Sequence, residues 1–507
     1  MDAVPLIKAV LRDVARFSRV VIRRPLREYQ LAPARAIVDS VLGRKGLTFA
    51  VVMSRQAGKN ELSAQLEAYL MNVFQGIRGA QLVKASPTYQ PQTVNSEMRL
   101  RECLDNPWNA GRVHGSQGHV IALGRCRTTF FSAHRSSNVV GATASVLLEC
   151  DEAQDVDGDK WNKDFAPMGA ATNVTTVFYG TIWTSRTLLA QVMRALRQQE
   201  ALDGVQRVFV ADWRRAAAEA PGYGEYVARE MARLGPAHPI IKTQYELQEI
   251  DQAGRLFPEE RQARMRGGHS RQRQPTPGGV YALLVDLAGE DEKMEGEELR
   301  EAAPRKDSTV VTVVEVDLTG LEDPLVALPR YRVVDRHWWT GVKHASVYAR
   351  LVDLVASWAA RCVVVDATGV GAGVASFLSK RFGLTRDDPP GLVRPVEFSS
   401  ARKSDVGWGF LGAIDSGRYK EYADDGATDT RQFWREVAAC EFEVLPGPGK
   451  QMRWGVADPA VHDDCLISAA LCAELDALPW TVAVEGQVSE FEDPVAQVDR
   501  RRRKERF

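Results

Sequence analysis

Ser54-Arg55-Gln56-Ala57-Gly58-Lys59-Asn60 follows the apolar run Val51-Val52-Met53 and precedes a helical pattern that starts at Leu62. That order sets Lys59 and several backbone N–H groups at a helix N-terminus, where the macrodipole and unpaired donors favour a polyphosphate. The stretch departs from the G-x-x-x-x-G-K-[ST] pattern at two positions, with Met53 in place of Gly and Asn60 in place of Ser or Thr. Further on, Ala144-Ser145-Val146-Leu147-Leu148-Glu149-Cys150 reads as a buried strand that delivers Asp151 and Glu152 to its C-terminal end. In parallel α/β sheets ligands bind at that end. One acid can hold Mg²⁺ while the next polarises the attacking water, which is the division of labour in ATP hydrolysis. Taken singly, each half has an inert reading: a surface turn with a solvated lysine, or an acidic turn closing a strand. The pair is far more specific. A third strand, Thr175 to Tyr179, ends in Gly180-Thr181, whose hydroxyl can sense the γ-phosphate. Gln30, ahead of the loop, is either an amide that reads an adenine edge or an exposed loop glutamine.

The second half carries another set of acids. Val280 to Val285 is an apolar run ending at Asp286, and Cys362-Val363-Val364-Val365 ends at Asp366. Asp463 and Asp464 open an apolar helical run, Cys465 to Leu471, where negative charge suits the first turn. Carboxylates at two buried strand ends and a helix start can converge on one or two divalent cations. Oxygen ligands without a His or Cys cluster indicate Mg²⁺ or Mn²⁺ rather than zinc. Two such ions stabilise the attacking and leaving oxygens of phosphodiester cleavage. The inert readings are strand-end acids with local partners for Asp286 and Asp366, and simple helix caps for Asp463 and Asp464. Gly369-Val370-Gly371-Ala372-Gly373 suggests a dinucleotide site only weakly, because the strands before it do not form a βαβ unit.

These groups need two frameworks. A chain of 507 residues is too long for one ordinary core, so two or three domains are expected. The first half reads as βαβα, with the strand Gln81 to Thr88, antiparallel strands over residues 119–132, and mainly helix from Leu188 to Glu249. Residues 1–45 read as helical, with a break at Pro25 and a second helix after Pro33. Between Phe257 and Gly279 the chain turns rich in Arg, Gln, Gly and Pro without apolar periodicity, which predicts a linker at 256–279. The boundaries expected are thus 1–255 with an N-terminal helical segment, 280–480 for the second domain, and a disordered basic tail at 481–507 ending Arg500-Arg501-Arg502-Arg503-Lys504. In the second domain three strands, 281–287, 308–317 and 331–338, precede a helix and then the strand ending at Asp366, with an acidic loop over 290–306.

Composition narrows the field. Net charge is −1, with Lys+Arg 65 against Asp+Glu 66, so nucleic-acid contact must come from local basic patches. Seven cysteines without a C-x-x-C pair argue against a disulfide framework or a thiolate zinc site. Lys8, Arg12, Asp13, Arg16 and Arg19 interrupt the N-terminus, so a signal peptide is not expected. No run reaches the roughly 18 apolar residues needed to span a bilayer.

Together, the Ser54–Asn60 loop, Asp151-Glu152-Ala153-Gln154, Gly180-Thr181, and Asp286, Asp366 and Asp463-Asp464 resemble the large terminase subunit of tailed bacteriophages, over roughly residues 25–475. The resemblance implies an α/β protein: an N-terminal P-loop ATPase domain of the ASCE, RecA-like type, then a C-terminal RNase H-like nuclease domain. It implies an ATP-driven motor that moves double-stranded DNA into a procapsid, and a nuclease that cuts concatemeric DNA.

Residue by residue, it implies that Lys59 binds the β/γ-phosphates, that Asp151 and Asn60 hold the ATP-bound Mg²⁺, and that Glu152 activates water. Gln30, Ser54, Arg55, Gln56, Ala57, Gly58 and Thr181 complete the nucleotide site, with Arg55 and Arg135 as candidate catalytic arginines. Arg135 would act on a neighbouring subunit's nucleotide, although Arg125 and Arg127 are also available. In the nuclease, Asp286, Asp366, Asp463 and Asp464 are the expected ligands of two divalent cations, with Asp307 a further candidate. Implied partners are a portal protein, a small terminase subunit and other copies of the chain in a ring at the portal, with a monomer when isolated. The implied setting is the host cytoplasm and, transiently, the procapsid. The alternative is a cellular ATP-dependent helicase or repair nuclease, yet the second half lacks a phosphate loop.

Overall fold

A computed structural model describes residues 3–480, apart from 117–118, 138, 140, 252, 289–307, 370, 446–449 and 459–460. Asp307, the acidic loop and the basic tail therefore lie outside the described residues.

The first domain is built on eight strands: β1 (Thr48–Met53), β2 (Gln81–Ser86), β3 (Val113–Ser116), β4 (Val120–Leu123), β5 (Cys126–Ser132), β6 (Leu147–Cys150), β7 (Thr175–Gly180) and β8 (Val208–Ala211). They lie in the order β3-β4-β5-β2-β6-β7-β1-β8. All pairings from β5 to β8 are parallel, and β3 and β4 are added antiparallel at one edge. The apolar run of β1 is explained by cover on both faces. Phe49, Val51 and Met53 enter one core, Ala50 and Val52 the other, as a parallel sheet between helical layers requires. One strand, β7, stands between the lysine-loop strand β1 and the acidic strand β6.

The second domain holds β10 (Tyr281–Asp286), β11 (Ser308–Asp317), β12 (Arg330–Thr340), β13 (Cys362–Asp366), β14 (Val393–Val396) and β15 (Tyr419–Lys420), in the order β14-β13-β10-β11-β12-β15. Strands β10, β11 and β12 form an antiparallel meander, and β13 and β14 add parallel to β10. A small antiparallel sheet, β17-β16-β9, joins β9 (Ala253–Arg255) to a hairpin of β16 (Cys440–Val444) and β17 (Met452–Val456). All seven cysteines are free and buried. No helix among the described residues is long and apolar enough to cross a membrane.

Two expectations change. The second N-terminal helix runs Glu28–Leu42 with Pro33 inside it, so it starts ahead of the proline. Arg27 opens this helix through the Gln30 side chain, which accepts from the Arg27 N–H at 2.8 Å, so the helix is started five residues ahead of Pro33 by a side-chain cap. The segment 256–279 is not a free linker. Leu256, Phe257 and Met265 are buried in the second core, Glu259–Met265 is a helix, and Arg271 pairs with Asp335 at 2.6 Å and Asp429 at 2.7 Å. Its few apolar residues are anchors, and its arginine meets acids far along the chain, so no local periodicity marks it.

Candidate active sites

At the C-terminal edge of the first sheet, the chain leaves β1 through a turn with Gln56 at φ 62° and Gly58 at φ 90°. A side chain at Gly58 would be strained at that φ, and its Cβ would stand 2.7 Å from the Gln30 amide nitrogen and displace it. Gln30 is buried. Its Nε2 donates to the Gly58 carbonyl at 2.8 Å while its oxygen is taken by Arg27. The amide therefore braces the loop from below and is not aimed outward at an adenine. Tyr29 and Tyr223 add hydroxyl bonds to the Ala57 and Arg55 carbonyls at 2.6 and 2.7 Å, and the Ser54 hydroxyl meets that of Tyr223 at 2.9 Å.

Lys59, the first residue of the helix Lys59–Phe74, reaches Glu152 at 2.6 Å and Asp151 at 3.8 Å. Burial alone would depress the Lys59 ammonium, but Glu152 and Asp151 outweigh it and hold it above its usual range. Burial would raise the Glu152 carboxyl, and Lys59 outweighs it, holding it below the usual carboxylate range. Both shifts describe one ion pair. Glu152 adopts φ 47°, a left-handed conformation that strains a side-chain-bearing residue. Gln154 donates to Glu152 at 2.7 Å and to Asp155 at 3.0 Å, and accepts from the Thr181 N–H at 3.1 Å, tying the ends of β6 and β7 together. Burial pushes the Asp155 carboxyl up to about 6.

Two buried oxygens in this constellation, Asn60 Oδ1 and Thr181 Oγ1, make no hydrogen bond. Buried polar atoms without a partner are costly, and these two belong to the helix start that carries Lys59 and to the end of β7 tied to Gln154. Arg55 is exposed. Arg135 is also exposed, pairs with Asp157 at 2.5 Å, and lines a cavity of about 560 Å³ with Thr88, Gln154 and Asp155. Its partner in the fold is Asp157, and not the loop that carries Lys59.

The second constellation follows from register. Val285 pairs with Val365 in parallel, so Asp286 and Asp366, one residue further, stand side by side at adjacent strand ends. Alternation puts them on the face of Leu284 and Val364. The helix Asp464–Ala470 packs on that face, where Ser468 donates to the Leu284 carbonyl at 2.8 Å. Asp286, Asp366, Asp463 and Asp464 line one cavity of about 230 Å³ with Ser308, Thr368 and Lys403. Asp463 holds the N-cap position yet makes no side-chain capping bond, and Lys403 lies 3.4 Å from it. Asp464 accepts from the Ser308 N–H at 2.8 Å, and Asp366 from the Thr368 N–H at 2.8 Å. Burial raises the Asp366 carboxyl.

Among the described residues, no three acidic, His or Cys side chains converge to enclose a metal ion. The four acids line one cavity, but as they stand they do not form a closed ligand set. The donor chemistry, carboxylate oxygen alone, still suits Mg²⁺ or Mn²⁺.

Several participants were not legible in the sequence: Lys403, Tyr223, the bracing role of Gln154, and Glu436, which accepts from the Leu466 N–H at 2.9 Å behind the acidic helix and is pushed up to about 8 by burial. Each lies in an ordinary helical or strand pattern, and only the tertiary fold gives it a neighbour.

No protein-family model matches the sequence, and no curated protein matches it. Among solved structures, the large terminase of a thermophilic bacteriophage is similar in one crystal form, with a TM-score of 0.50 and 11% identity over 89% of this chain and 98% of that one. The same protein in complex with ADP gives a TM-score of 0.50 and 11% identity, covering 89% of this chain and 99% of that one. The bacteriophage HK97 large terminase is more distant, with a TM-score of 0.39 at 13% identity over 91% and 99% of the two chains. The likeness to the thermophilic phage protein covers most of the chain, and the chain has the two-domain fold of the phage large terminases.

Proposed function

We propose that this chain is a large terminase subunit, a DNA-packaging motor that couples ATP hydrolysis to movement of double-stranded DNA into a procapsid and carries its own metal-dependent endonuclease. The observation that carries the reading is the joining, in one chain, of a lysine loop facing Asp151-Glu152 across β7 with a second sheet whose adjacent strands end in Asp286 and Asp366.

In the first site Lys59 binds the β- and γ-phosphates. Asp151 and Asn60 hold the Mg²⁺ that accompanies ATP, and Glu152 accepts the proton of the attacking water. When bound, that ion neutralises developing charge on the phosphate oxygens. Thr181, tied to Gln154, reports the γ-phosphate to β7. Arg135, exposed at the rim, serves a neighbouring copy in a ring at the portal protein, and Arg55 stays with its own loop.

In the second site Asp286, Asp366 and one or both of Asp463 and Asp464 hold divalent cations, which polarise the scissile phosphate. Asp307 is a further candidate. Closing that ligand set takes side-chain rotation, most simply Asp463 leaving Lys403. A small terminase subunit would select the DNA, and the work would be done in the host cytoplasm and at the procapsid. A helicase reading is disfavoured, because the second sheet opens on an antiparallel meander and bears no phosphate loop.

The test separates the sites. Lys59→Ala abolishes DNA-dependent ATPase and leaves plasmid cleavage with Mn²⁺ intact, whereas Asp366→Ala does the reverse. Loss of both activities together in either variant would sink the two-site assignment.

A further inference from the structure

The nuclease domain reaches into the ATPase site. Its β16–β17 hairpin is closed by the Leu445 N–H donating to the Gln451 carbonyl at 2.8 Å, and Val444 and Leu445 form a wall of the 560 Å³ cavity that also holds Gln154, Asp155 and Arg135. Beside that rung stands Lys450, at φ 45°. A lysine in the left-handed region is uncommon and must be held there by its surroundings.

Both ends of Lys450 are held. Its carbonyl accepts from the Trp408 indole N–H at 3.2 Å, and its ammonium lies 4.9 Å from the ring centroid of Trp183. Trp183 belongs to the first domain, two residues beyond Thr181, and Trp408 to the helix Ser400–Asp415 of the second. The two indoles meet edge to face at 6.2 Å. His238 completes the joint: its Nδ1 accepts from the Ile240 N–H at 3.1 Å, so Nε2 carries the proton and donates to the Trp408 carbonyl at 3.2 Å. A buried ammonium over an indole face gains cation–π attraction without fixing its partner acids. Trp183, which the ammonium overlies, lines the same cavity as Gln154 and Asp155, and the carboxylates acting on the ammonium are Asp155 and Glu152, with Arg55 and Lys59 as the neighbouring cations. Burial depresses the Lys450 ammonium, and the two carboxylates oppose that shift.

We propose that Lys450 is a positioning residue of the ATPase site supplied by the nuclease domain, its ammonium orienting the Glu152 and Asp155 carboxylates once nucleotide has drawn Lys59 onto the phosphates. The proposal rests on the reading of Lys59, Asp151 and Glu152 as an ATPase centre. ATP turnover then depends on the hairpin being docked, and a displacement of the nuclease domain slows hydrolysis without touching the phosphate loop. No sequence pattern announces Lys450; only the Trp183–Trp408 joint brings it to the acids.

The test uses the full-length chain. Lys450→Met keeps the stem on Trp183 and removes only the charge. Expected is a fall in kcat for ATP of about tenfold, the size of one well-placed electrostatic contact, with KM for ATP within about twofold of the parent. Lys450→Arg should retain at least about half of the parent kcat, since the guanidinium restores the charge over the indole. Mn²⁺-dependent plasmid cleavage, unchanged in both, shows that the hairpin and nuclease core are folded. Trp408→Phe, which removes the donor to the Lys450 carbonyl, should lower kcat in the same direction by less. Parent-like kcat and KM in Lys450→Met would overturn the proposal, as would a rise in KM at unchanged kcat, which marks a nucleotide contact, or an arginine variant as slow as the methionine one. A parent chain without any ATPase activity would instead defeat the reading of the site itself.

Discussion

Lys59 and Glu152 are joined at 2.6 Å, the loop ammonium resting on the carboxylate that follows β6. On the proposed reading, phosphates compete for that ammonium, so nucleotide binding would both fill the loop and release the base, tying hydrolysis to occupancy. Glu152→Gln keeps the hydrogen bond from Gln154 within reach but cannot take a proton. It should bind ATP with near-parent affinity and lose about 10²–10⁴-fold in kcat, the usual contribution of a general base. Fluorescent-nucleotide titration with single-turnover hydrolysis checks this. A Glu152→Gln enzyme that turns over like the parent would assign the base elsewhere.

Behind that pair lies a buried charge network. The Lys84 ammonium donates to Ser63 at 2.7 Å and stands 3.6 Å from Glu67, while Ser63 donates to Glu149 at 2.9 Å. One cation serves two buried carboxyl groups, and burial pushes the Glu67 carboxyl well up. Lys84→Met leaves this buried acidic pair without its cation and should cost about 3–5 kcal/mol, the range for breaking a buried pair. Urea unfolding measures it. Arg135→Ala, by contrast, removes an exposed pair and should leave the melting temperature unchanged. Its effect belongs in the assembled motor, where loss of an arginine acting on a neighbour's nucleotide lowers kcat by about 10³-fold or more.

The contrast between these residues also explains what the sequence made legible. Lys59, Asp151-Glu152, Asp286 and Asp366 follow apolar runs whose burial fixes where a strand ends, and Asp463-Asp464 open an apolar helix, so their placement could be read locally. The order βαβα and the three-strand opening of the second domain could be read the same way. Lys84 sits inside such a run as a polar interruption, and nothing nearby in sequence names Glu67 or Glu149 as its partners. Arg271 failed likewise: its acids, Asp335 and Asp429, lie far along the chain, so a buried anchor looked like part of a linker. The hairpin β16–β17 is short and half-exposed, with no strong alternation to reveal it.

His238 gives a pH test of the interdomain joint. Burial pushes its imidazole down from 6.5 to about 4. Above pH 6.5 neither the folded nor the unfolded state binds the proton, so the joint is at full strength. As pH falls from 6.5 to 4 the unfolded chain takes up a proton that the folded chain refuses, and up to about 3 kcal/mol of stability is lost. His238→Gln lacks this proton linkage. The stability advantage of the parent over His238→Gln should therefore shrink as pH falls through that window, followed by chemical denaturation at several pH values. An advantage that stays constant from pH 7 to 4 would place an ionised histidine in the joint.

In the nuclease site, Lys403 at 3.4 Å from Asp463 competes with any cation for that carboxylate. Lys403→Met should lower the Mn²⁺ concentration needed for half-maximal plasmid cleavage, by about tenfold if one full ion-pair contact is relieved. A higher metal requirement in the variant would mean that Lys403 assists the ion rather than opposing it.

The central claim, one chain that both drives and cuts DNA, is tested most directly by packaging itself. Purified chain, ATP and procapsids of the same virus are mixed with linear double-stranded DNA, and the DNA protected from added nuclease is measured. The account predicts protection with the parent and with Asp366→Ala, because precut DNA needs no nuclease, and none with Lys59→Ala. Protection by Lys59→Ala, or none by a parent chain that hydrolyses ATP, would contradict it.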